Sequence, residues 1–134
     1  MSSGYVVFRL GEYTFATPLD SVREIVRLSD VDPLPGMTPP LVGVILLRGS
    51  PLPVWDVRSE ATDGRPAAGD CLVVQVDGDT VGIAVDQVVS VLQPEELSDG
   101  DEPGRTLPSY VTAVHRRGDD PVLMVDLPRL LAAA

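Results

Sequence analysis

Apolar residues occur in short runs that are separated by turn residues along most of the chain. Four pairs of these runs flank a glycine-containing turn, which is the pattern of a β-hairpin. The paired runs are 6–10 and 13–17, 42–47 and 52–57, 72–76 and 80–85, and 111–114 and 122–125. Valine is abundant, and 12 Gly and 13 Pro residues favour short strands and turns over long helices. The fold is therefore predicted to be mainly β.

The first and third hairpins are each followed by the pattern D-x-V-x-x-[IV]-[VL], at residues 20–26 and 86–92. Each segment is predicted to start with a helical turn and continue as a strand, because Asp favours a helix N-cap and Val and Ile favour strands. A second match, 69 positions apart, pairs Val42, Ile45, Arg48 and Gly49 with Val111, Val114, Arg117 and Gly118. This repeat predicts two similar β subdomains within one domain spanning 1–134. Their approximate limits are 1–60 and 70–125.

The remaining segments are predicted to be connectors and a short helix. Residues 59–69 are small and polar and are expected to be a flexible connector, whereas residues 93–109 are acidic and are expected to be an exposed, mobile loop.

A short helix is predicted at the C-terminal end. Asp126 is its candidate N-cap, Pro128 fits its first turn, and Leu130 and Leu131 would pack it against the protein. The segment 126–134 is expected to pack back on the first subdomain.

Charge excludes several classes of partner. Twenty acidic and ten basic residues give a net charge of −10, which repels nucleic acid and anionic lipid head groups. The apolar run 41–47 is far shorter than the roughly 18–20 residues of a membrane-spanning helix. Residues 1–4 do not resemble a secretory signal, and a single Cys cannot form an intramolecular disulfide. No nucleic acid and no direct membrane insertion are expected, and the expected location is cytoplasmic.

Residues suited to catalysis are scarce. His115 is the only imidazole and Cys71 the only thiol, so a nucleophile with a His base would depend on one ring. His115 adjoins two arginines and is expected to be solvent-exposed, whereas Cys71 opens an apolar run and is expected to be buried. The sequence contains no calcium loop, zinc ligand set or phosphate-binding glycine loop. No enzymatic activity, cofactor or metal is expected, although an enzyme or a ligand-binding β-barrel stays open as an alternative.

Two places in the chain are candidates for binding a partner. Arg48-Gly49 ends an apolar strand and is either a plain turn or a charged anchor on a partner-binding edge. Val22, Ile25 and Val26 are either core residues or an exposed apolar patch beside charged neighbours.

Seven motifs follow one another in an order that resembles the CheW family of chemotaxis coupling proteins and the related regulatory domain of CheA kinases. They are Y-V-V-F-R-L-G at 5–11, V-R-E-I-V at 22–26, P-L-P at 33–35, G-V-I-L-L-R-G at 43–49, L-P-V-W-D-V-R at 52–58, V-G-I-A-V-D at 81–86 and V-L-M-V-D-L at 122–127. The resemblance implies two SH3-like five-stranded β-barrel subdomains with a short C-terminal helix. It also implies a non-enzymatic adaptor that couples methyl-accepting chemoreceptors to a CheA-type histidine kinase in bacterial chemosensory signal transduction.

The implied partners are the cytoplasmic tip of a chemoreceptor and the regulatory domain of the kinase. The implied location is cytoplasmic, at receptor arrays, where weak self-association is left open. Carried onto this chain, the implied contact residues are Val22, Glu24, Ile25, Arg48 and Gly49, with Val88 and Val91 as weaker equivalents in the second half.

One departure from the family motif supports an alternative. The family usually reads N-L-R-G, whereas this chain reads Leu46-Leu47-Arg48-Gly49. The alternative function is therefore a divergent adaptor that has lost kinase binding and tethers another regulator to the receptor system.

Overall fold

The computed structural model describes residues 4–28, 31–58 and 68–133. Residues 59–67, which make up most of the predicted flexible connector, lie outside this part. The described elements are β1 (Tyr5–Leu10), β2 (Tyr13–Pro18), β3 (Val22–Leu28), β4 (Leu41–Leu47), β5 (Ser50–Asp56), β6 (Gly69–Val76), β7 (Asp79–Val85), β8 (Gln87–Leu92), β9 (Val111–Arg117), β10 (Asp120–Val125) and α1 (Leu127–Ala133). Within these ranges, no helix has the length and apolar character needed to cross a membrane.

All four predicted hairpins are present, each with a two-residue turn. The third turn is Asp77-Gly78, one residue earlier than predicted, and its φ angles are 51° and 86°. Positive φ at both central residues defines a type I′ turn, whose twist matches that of the flanking strands. Asp and Gly tolerate this conformation, which explains why the turn is centred on them.

The strands form two five-stranded sheets with the same arrangement. One has the order β3-β6-β7-β5-β4 and the other has the order β8-β1-β2-β10-β9. In each sheet two antiparallel hairpins are joined by one parallel pair, β5 with β7 or β10 with β2. The prediction of a mainly β protein with two five-stranded units and a short C-terminal helix is confirmed.

The chain is divided between its compact units differently from the predicted limits of 1–60 and 70–125. The central unit comprises residues 22–87, and the N/C unit comprises residues 1–21 and 88–134. The reason is the parallel pairing, which places the first hairpin beside β10 and the third hairpin beside β5. The hairpin at the start of each sequence repeat therefore belongs to one unit, and the next three strands of that repeat belong to the other unit.

Each unit has its own apolar cluster of alternate strand residues. In the central unit the buried members are Leu28, Ile45, Leu52, Val54, Cys71, Val73 and Ala84. In the N/C unit they are Val7, Ala16, Leu92, Leu97, Val122 and Met124. In β5, where burial alternates along the strand, a shift by one residue would turn the buried side chains outward, so burial fixes the register there.

The second sequence match, between residues 42–49 and 111–118, is shifted by one residue in the structure. Leu47 pairs with Ser50 at the end of one hairpin, and Arg117 pairs with Asp120 at the end of the other. Arg117 is therefore the counterpart of Leu47, and Arg48 has the turn residue Gly118 as its counterpart. The sequence comparison aligned two arginines that occupy different places in the two hairpins.

The two D-x-V segments behave differently. Leu19–Ser21 form a 3₁₀ turn that leads into β3, as predicted. At Asp86 the described chain has a bend instead of a helical turn, and β8 starts at the next residue. The strand preference of valine prevails over the capping preference of Asp there.

Residues 93–109, predicted to be an exposed, mobile loop, are mostly exposed but include regular structure, and their mobility stays a prediction. Pro94–Glu96 form a 3₁₀ turn. The backbones of Ser98 and Asp101 make hydrogen bonds to β9. An edge strand presents unpaired N–H and C=O groups, and the loop supplies partners for them.

The C-terminal helix has the predicted cap. The Arg129 N–H donates to Asp126 Oδ1 at 3.0 Å, and Pro128 lies in the first turn, where its missing N–H needs no partner. Leu130 is buried and Leu131 is half-buried. Leu127 and Pro128 line a groove in the N/C unit together with residues of β2.

A buried ion pair lies at the end of β5. Arg58 Nε donates to Asp56 Oδ1 and Arg58 Nη2 donates to Asp56 Oδ2, both at 2.9 Å. The two side chains are only 7% and 2% exposed. Arg58 Nη1 also donates to the carbonyl oxygen of Ala68 at 3.3 Å. The pair thus connects the end of β5 to the residue that precedes β6.

Replacement of Arg58 by Leu should lower the free energy of unfolding by about 3–5 kcal/mol, because it leaves the buried Asp56 carboxylate without its cation. Arg105→Leu, at an exposed loop position, is the matched control and should change stability by less than about 0.5 kcal/mol. Chemical denaturation followed by circular dichroism measures both values. Equal unfolding midpoints for the two variants would contradict the role given to the pair.

Candidate partner-binding site

A charged pair on the surface of the central unit joins two of the predicted contact residues. Arg48 Nη1 donates to both carboxylate oxygens of Glu24, at 2.8 and 2.9 Å. Glu24 lies in β3 and Arg48 lies in the turn between β4 and β5, so the fold joins residues 24 positions apart. The Arg48 side chain is 72% exposed and that of Glu24 is 29% exposed. Both groups are therefore accessible to another protein.

The backbone at Arg48 has an unusual conformation. Its φ is 50° and that of Gly49 is 84°, which makes Arg48-Gly49 a type I′ turn. The first position of this turn favours Asn, Asp or Gly, and other residues are strained there. Strained residues of this kind are concentrated at functional sites. Arg48 therefore has a structural cost that its role as a turn residue does not explain.

The ion pair further favours the charged form of Arg48. The hydrogen bond to Glu24 and the attraction of its carboxylate raise the pKa of Arg48 above its usual range, and desolvation opposes this effect only weakly. Since the guanidinium is charged in any case near neutral pH, its interactions do not depend on pH there. A partner meets a permanent cation that already has one carboxylate beside it.

The pair borders an open groove with a volume of about 430 Å³ in the central unit. The residues that line it are Arg23, Glu24, Leu47, Arg48, Val73 and Thr80. Arg23 at the same groove donates to Gln75 Oε1 at 3.3 Å. Leu47 is half-buried and adds some apolar surface to the groove, whereas Val73 belongs to the buried cluster. Charged side chains beside a partly apolar surface are common at protein interfaces.

The three residues of the V-x-E-I motif do not share one face of the sheet. Glu24 lies opposite Val73 in β6, on the side of the central apolar cluster. Ile25 lies opposite Leu72, on the other side, because neighbouring strand residues point to opposite faces. A bulge between Val22 and Glu24 places Val22 on the same side as Ile25. The charged pair and the apolar pair are therefore two separate features.

Val88 and Val91 lie in β8, in the N/C unit and not in the unit that holds Glu24 and Arg48. Val91 is 48% exposed, whereas Val88 is half-buried on the alternate side of the strand. Val89, which the sequence reading did not select, is exposed together with Val91. The period of two along β8 was the signal that could have found it.

Leu46 is a further residue that the sequence reading did not assign to the site. It is 73% exposed in β4, directly before the Leu47-Arg48 step. Its neighbour Ile45 is buried in the apolar cluster, so strand alternation predicts that Leu46 points outward. Leu46 occupies the position at which the N-L-R-G motif, described above for the CheW resemblance, has Asn.

The candidate nucleophile is inert. Cys71 is fully buried in β6, as predicted, and its burial raises the pKa of the thiol to about 11. A thiol that stays protonated is a poor nucleophile.

His115 is half-buried, in contrast to the predicted exposed position, because Ser98 and Gly100 cover its ring. The described residues contain no group of three or more His, Cys, Asp or Glu side chains that could hold a metal ion.

A family model for the CheW-like domain matches residues 4–134. The chain belongs to the CheW-like domain family. The chemotaxis protein CheW of Treponema pallidum is 25% identical over 139 residues, which cover 96% of this chain and 81% of that protein. The chemotaxis protein CheW of Rhizobium meliloti is 33% identical over 90 residues, which cover 65% of this chain and 58% of that protein.

A solved structure has the same fold. The scaffolding protein TtCheW from Thermoanaerobacter tengcongensis matches with a TM-score of 0.75 at 23% identity, over 97% of this chain and 88% of that chain. At this identity the match establishes the architecture alone. It agrees with the two five-stranded sheets described above.

The Cys71 thiol should react very slowly with a chromogenic disulfide reagent in the native protein at pH 8 and rapidly in denaturant. Its raised pKa also predicts that stability falls between pH about 9 and about 11, because the unfolded chain loses the thiol proton in this window while the folded chain keeps it. Absorbance during labelling measures the reaction rate of the thiol. Unfolding experiments at pH 8 and pH 10 measure the change in stability. Native labelling as fast as denatured labelling would contradict the burial of Cys71.

Proposed function

We propose that this protein is a non-enzymatic adaptor that couples methyl-accepting chemoreceptors to a CheA-type histidine kinase in the bacterial cytoplasm. The observation that carries the proposal is the exposed Glu24–Arg48 pair at an open groove, in a chain that belongs to the CheW-like domain family. The implied partners are the cytoplasmic tip of a receptor and the regulatory domain of the kinase. The implied place of action is the receptor array.

The charged pair suits a protein partner for a physical reason. Arg48 donates through one nitrogen to Glu24, so its other guanidinium N–H groups can meet an acceptor on a partner. Arginine is also common at interfaces because its planar group matches carboxylates and backbone carbonyls. The type I′ turn holds Arg48 at the tip of a hairpin, where a partner can approach it.

Exposed apolar side chains supply further contact area. Ile25 and Leu46 in the central unit, and Val89 and Val91 in the N/C unit, are large apolar residues with substantial exposure. Apolar contacts of this size give weak binding when alone. Weak contacts are sufficient for an adaptor whose many copies act together in an array, because effective concentration multiplies their effect.

Arg48→Ala should weaken binding to at least one of the two partners by about tenfold or more, because a hot-spot arginine typically contributes that much to an interface. Isothermal titration against the receptor tip and against the kinase regulatory domain, separately, gives the two affinities. Arg48→Gly should lose the same binding but unfold at a higher temperature than Arg48→Ala, since glycine relieves the positive φ at this turn.

Arg117→Ala is the matched control, because Arg117 is also an exposed arginine at the end of a hairpin strand but forms no ion pair with a carboxylate within the described ranges. Its affinities should equal those of the unmodified protein. Equal affinities of Arg48→Ala and Arg117→Ala for both partners would remove Arg48 from the site. Failure of the unmodified protein to bind either partner would overturn the proposed function itself, and binding to the receptor alone would indicate an adaptor without kinase coupling.

A further inference from the structure

The outer edge of β9 is covered by the connector that precedes it. The Asp101 N–H donates to the Val114 carbonyl oxygen at 2.8 Å, and the Val114 N–H donates to the Asp101 carbonyl oxygen at 2.9 Å. Two residues further along β9, the Ser98 N–H donates to the Arg116 carbonyl oxygen at 2.8 Å. The Arg116 N–H in turn donates to Ser98 Oγ at 2.9 Å. Residues 98–101, here called the edge strap, thus satisfy the outward N–H and C=O groups of two β9 residues.

The side chain of His115 holds the edge strap in place. Its Nδ1 lies 2.7 Å from the carbonyl oxygen of Ser98, and because a carbonyl only accepts, Nδ1 carries the proton. Gly100 packs against the same ring. A Cβ added to Gly100 would lie 2.6 Å from Nε2 and 2.9 Å from Cε1 of His115. Only glycine allows the strap to approach the ring this closely.

The central unit covers its equivalent edge in the same way with different residues. Asp32 and Val44 exchange both backbone hydrogen bonds at 2.9 Å, and Val44 occupies the place in β4 that Val114 occupies in β9. Here the glycine is in the strand, since a Cβ on Gly43 would lie 2.5 Å from the Asp32 carbonyl oxygen. The two units cover this edge with different residues, which indicates that coverage of the edge is itself the requirement.

We propose that the edge strap is a guard that keeps β9 from pairing with β9 of a second copy of this chain. An uncovered edge offers hydrogen-bonding groups to any extended strand, and β9 contains no proline and begins with residues that favour strands. An antiparallel pairing centred on Val114 would place Arg116 opposite Thr112 and Arg117 opposite Val111. Like charges would then not face each other, so this pairing has no repulsion between directly opposed side chains. This inference is independent of the adaptor role.

Gly100→Val tests the guard, because the new side chain must displace either the strap or the His115 ring. Amide hydrogen exchange at Val114 and Arg116 should become at least about tenfold faster, while Val122 inside the sheet stays protected. Sedimentation velocity should show a dimer that increases with protein concentration. In the double variant Gly100→Val/His115→Ala the clash is absent but the hydrogen bond from His115 to the Ser98 carbonyl is lost as well, so exchange should fall to a rate between those of Gly100→Val and the unmodified protein, and the dimer should decrease.

Thr106→Val is the matched control, since it adds an exposed valine in the same connector without a change of charge, and it should leave both readouts unchanged. Unchanged exchange at Val114 in Gly100→Val would overturn the seating of the strap. Fast exchange in a protein that stays monomeric at every concentration would overturn the guard role. If Val122 also loses protection, the variant has unfolded, and Gly100→Ala, which adds only one carbon, replaces it under the same criteria.

Discussion

Each sheet depends on parallel pairing between strands that come from distant parts of the chain. β2 pairs with β10, and β5 pairs with β7, and each of these contacts joins two hairpins that would be marginal alone. Gly82 lies within the second of these pairs, opposite Val54. A Cβ there would lie 2.7 Å from Cys71 Sγ and 3.1 Å from Leu52 Cδ2, so glycine permits the close packing of the cluster. The buried Asp56–Arg58 pair stabilises the end of β5, the strand that pairs with β7.

The local elements could be predicted from the sequence, but their grouping could not. Each hairpin is specified by its own alternation and turn residues, and the C-terminal helix by Asp126 and Pro128, because these signals act over a few residues. Which hairpins share a sheet depends on parallel pairs separated by many residues, for which a single sequence carries little signal. The repeat was visible, yet it suggested units that follow the chain, whereas the structure exchanges hairpins between them.

The candidate site was predictable as a set of residues and not as a surface. The motifs selected Glu24 and Arg48, and the fold joins these two directly. The same motifs selected Ile25, which strand alternation places on the opposite face. The positive φ of Arg48 follows from the length of the hairpin turn and had no signal beyond the Gly that follows it. The fold is duplicated, but this ion pair is present in the central unit alone. In the N/C unit Gly118 is the counterpart of Arg48, and Ser90 is the counterpart of Glu24 in the D-x-V repeat.

The division of the chain between the two units has a consequence for biosynthesis. The central unit is one continuous segment, so all five of its strands have left the ribosome once residue 87 has been translated and has cleared the exit tunnel. The hairpin β1–β2 is translated before the central unit, but its partner β10 is translated only after that unit. The two strands therefore keep an unpaired edge until the central unit and β9 have been translated, and a chaperone that holds early hairpins would protect this protein most in that interval.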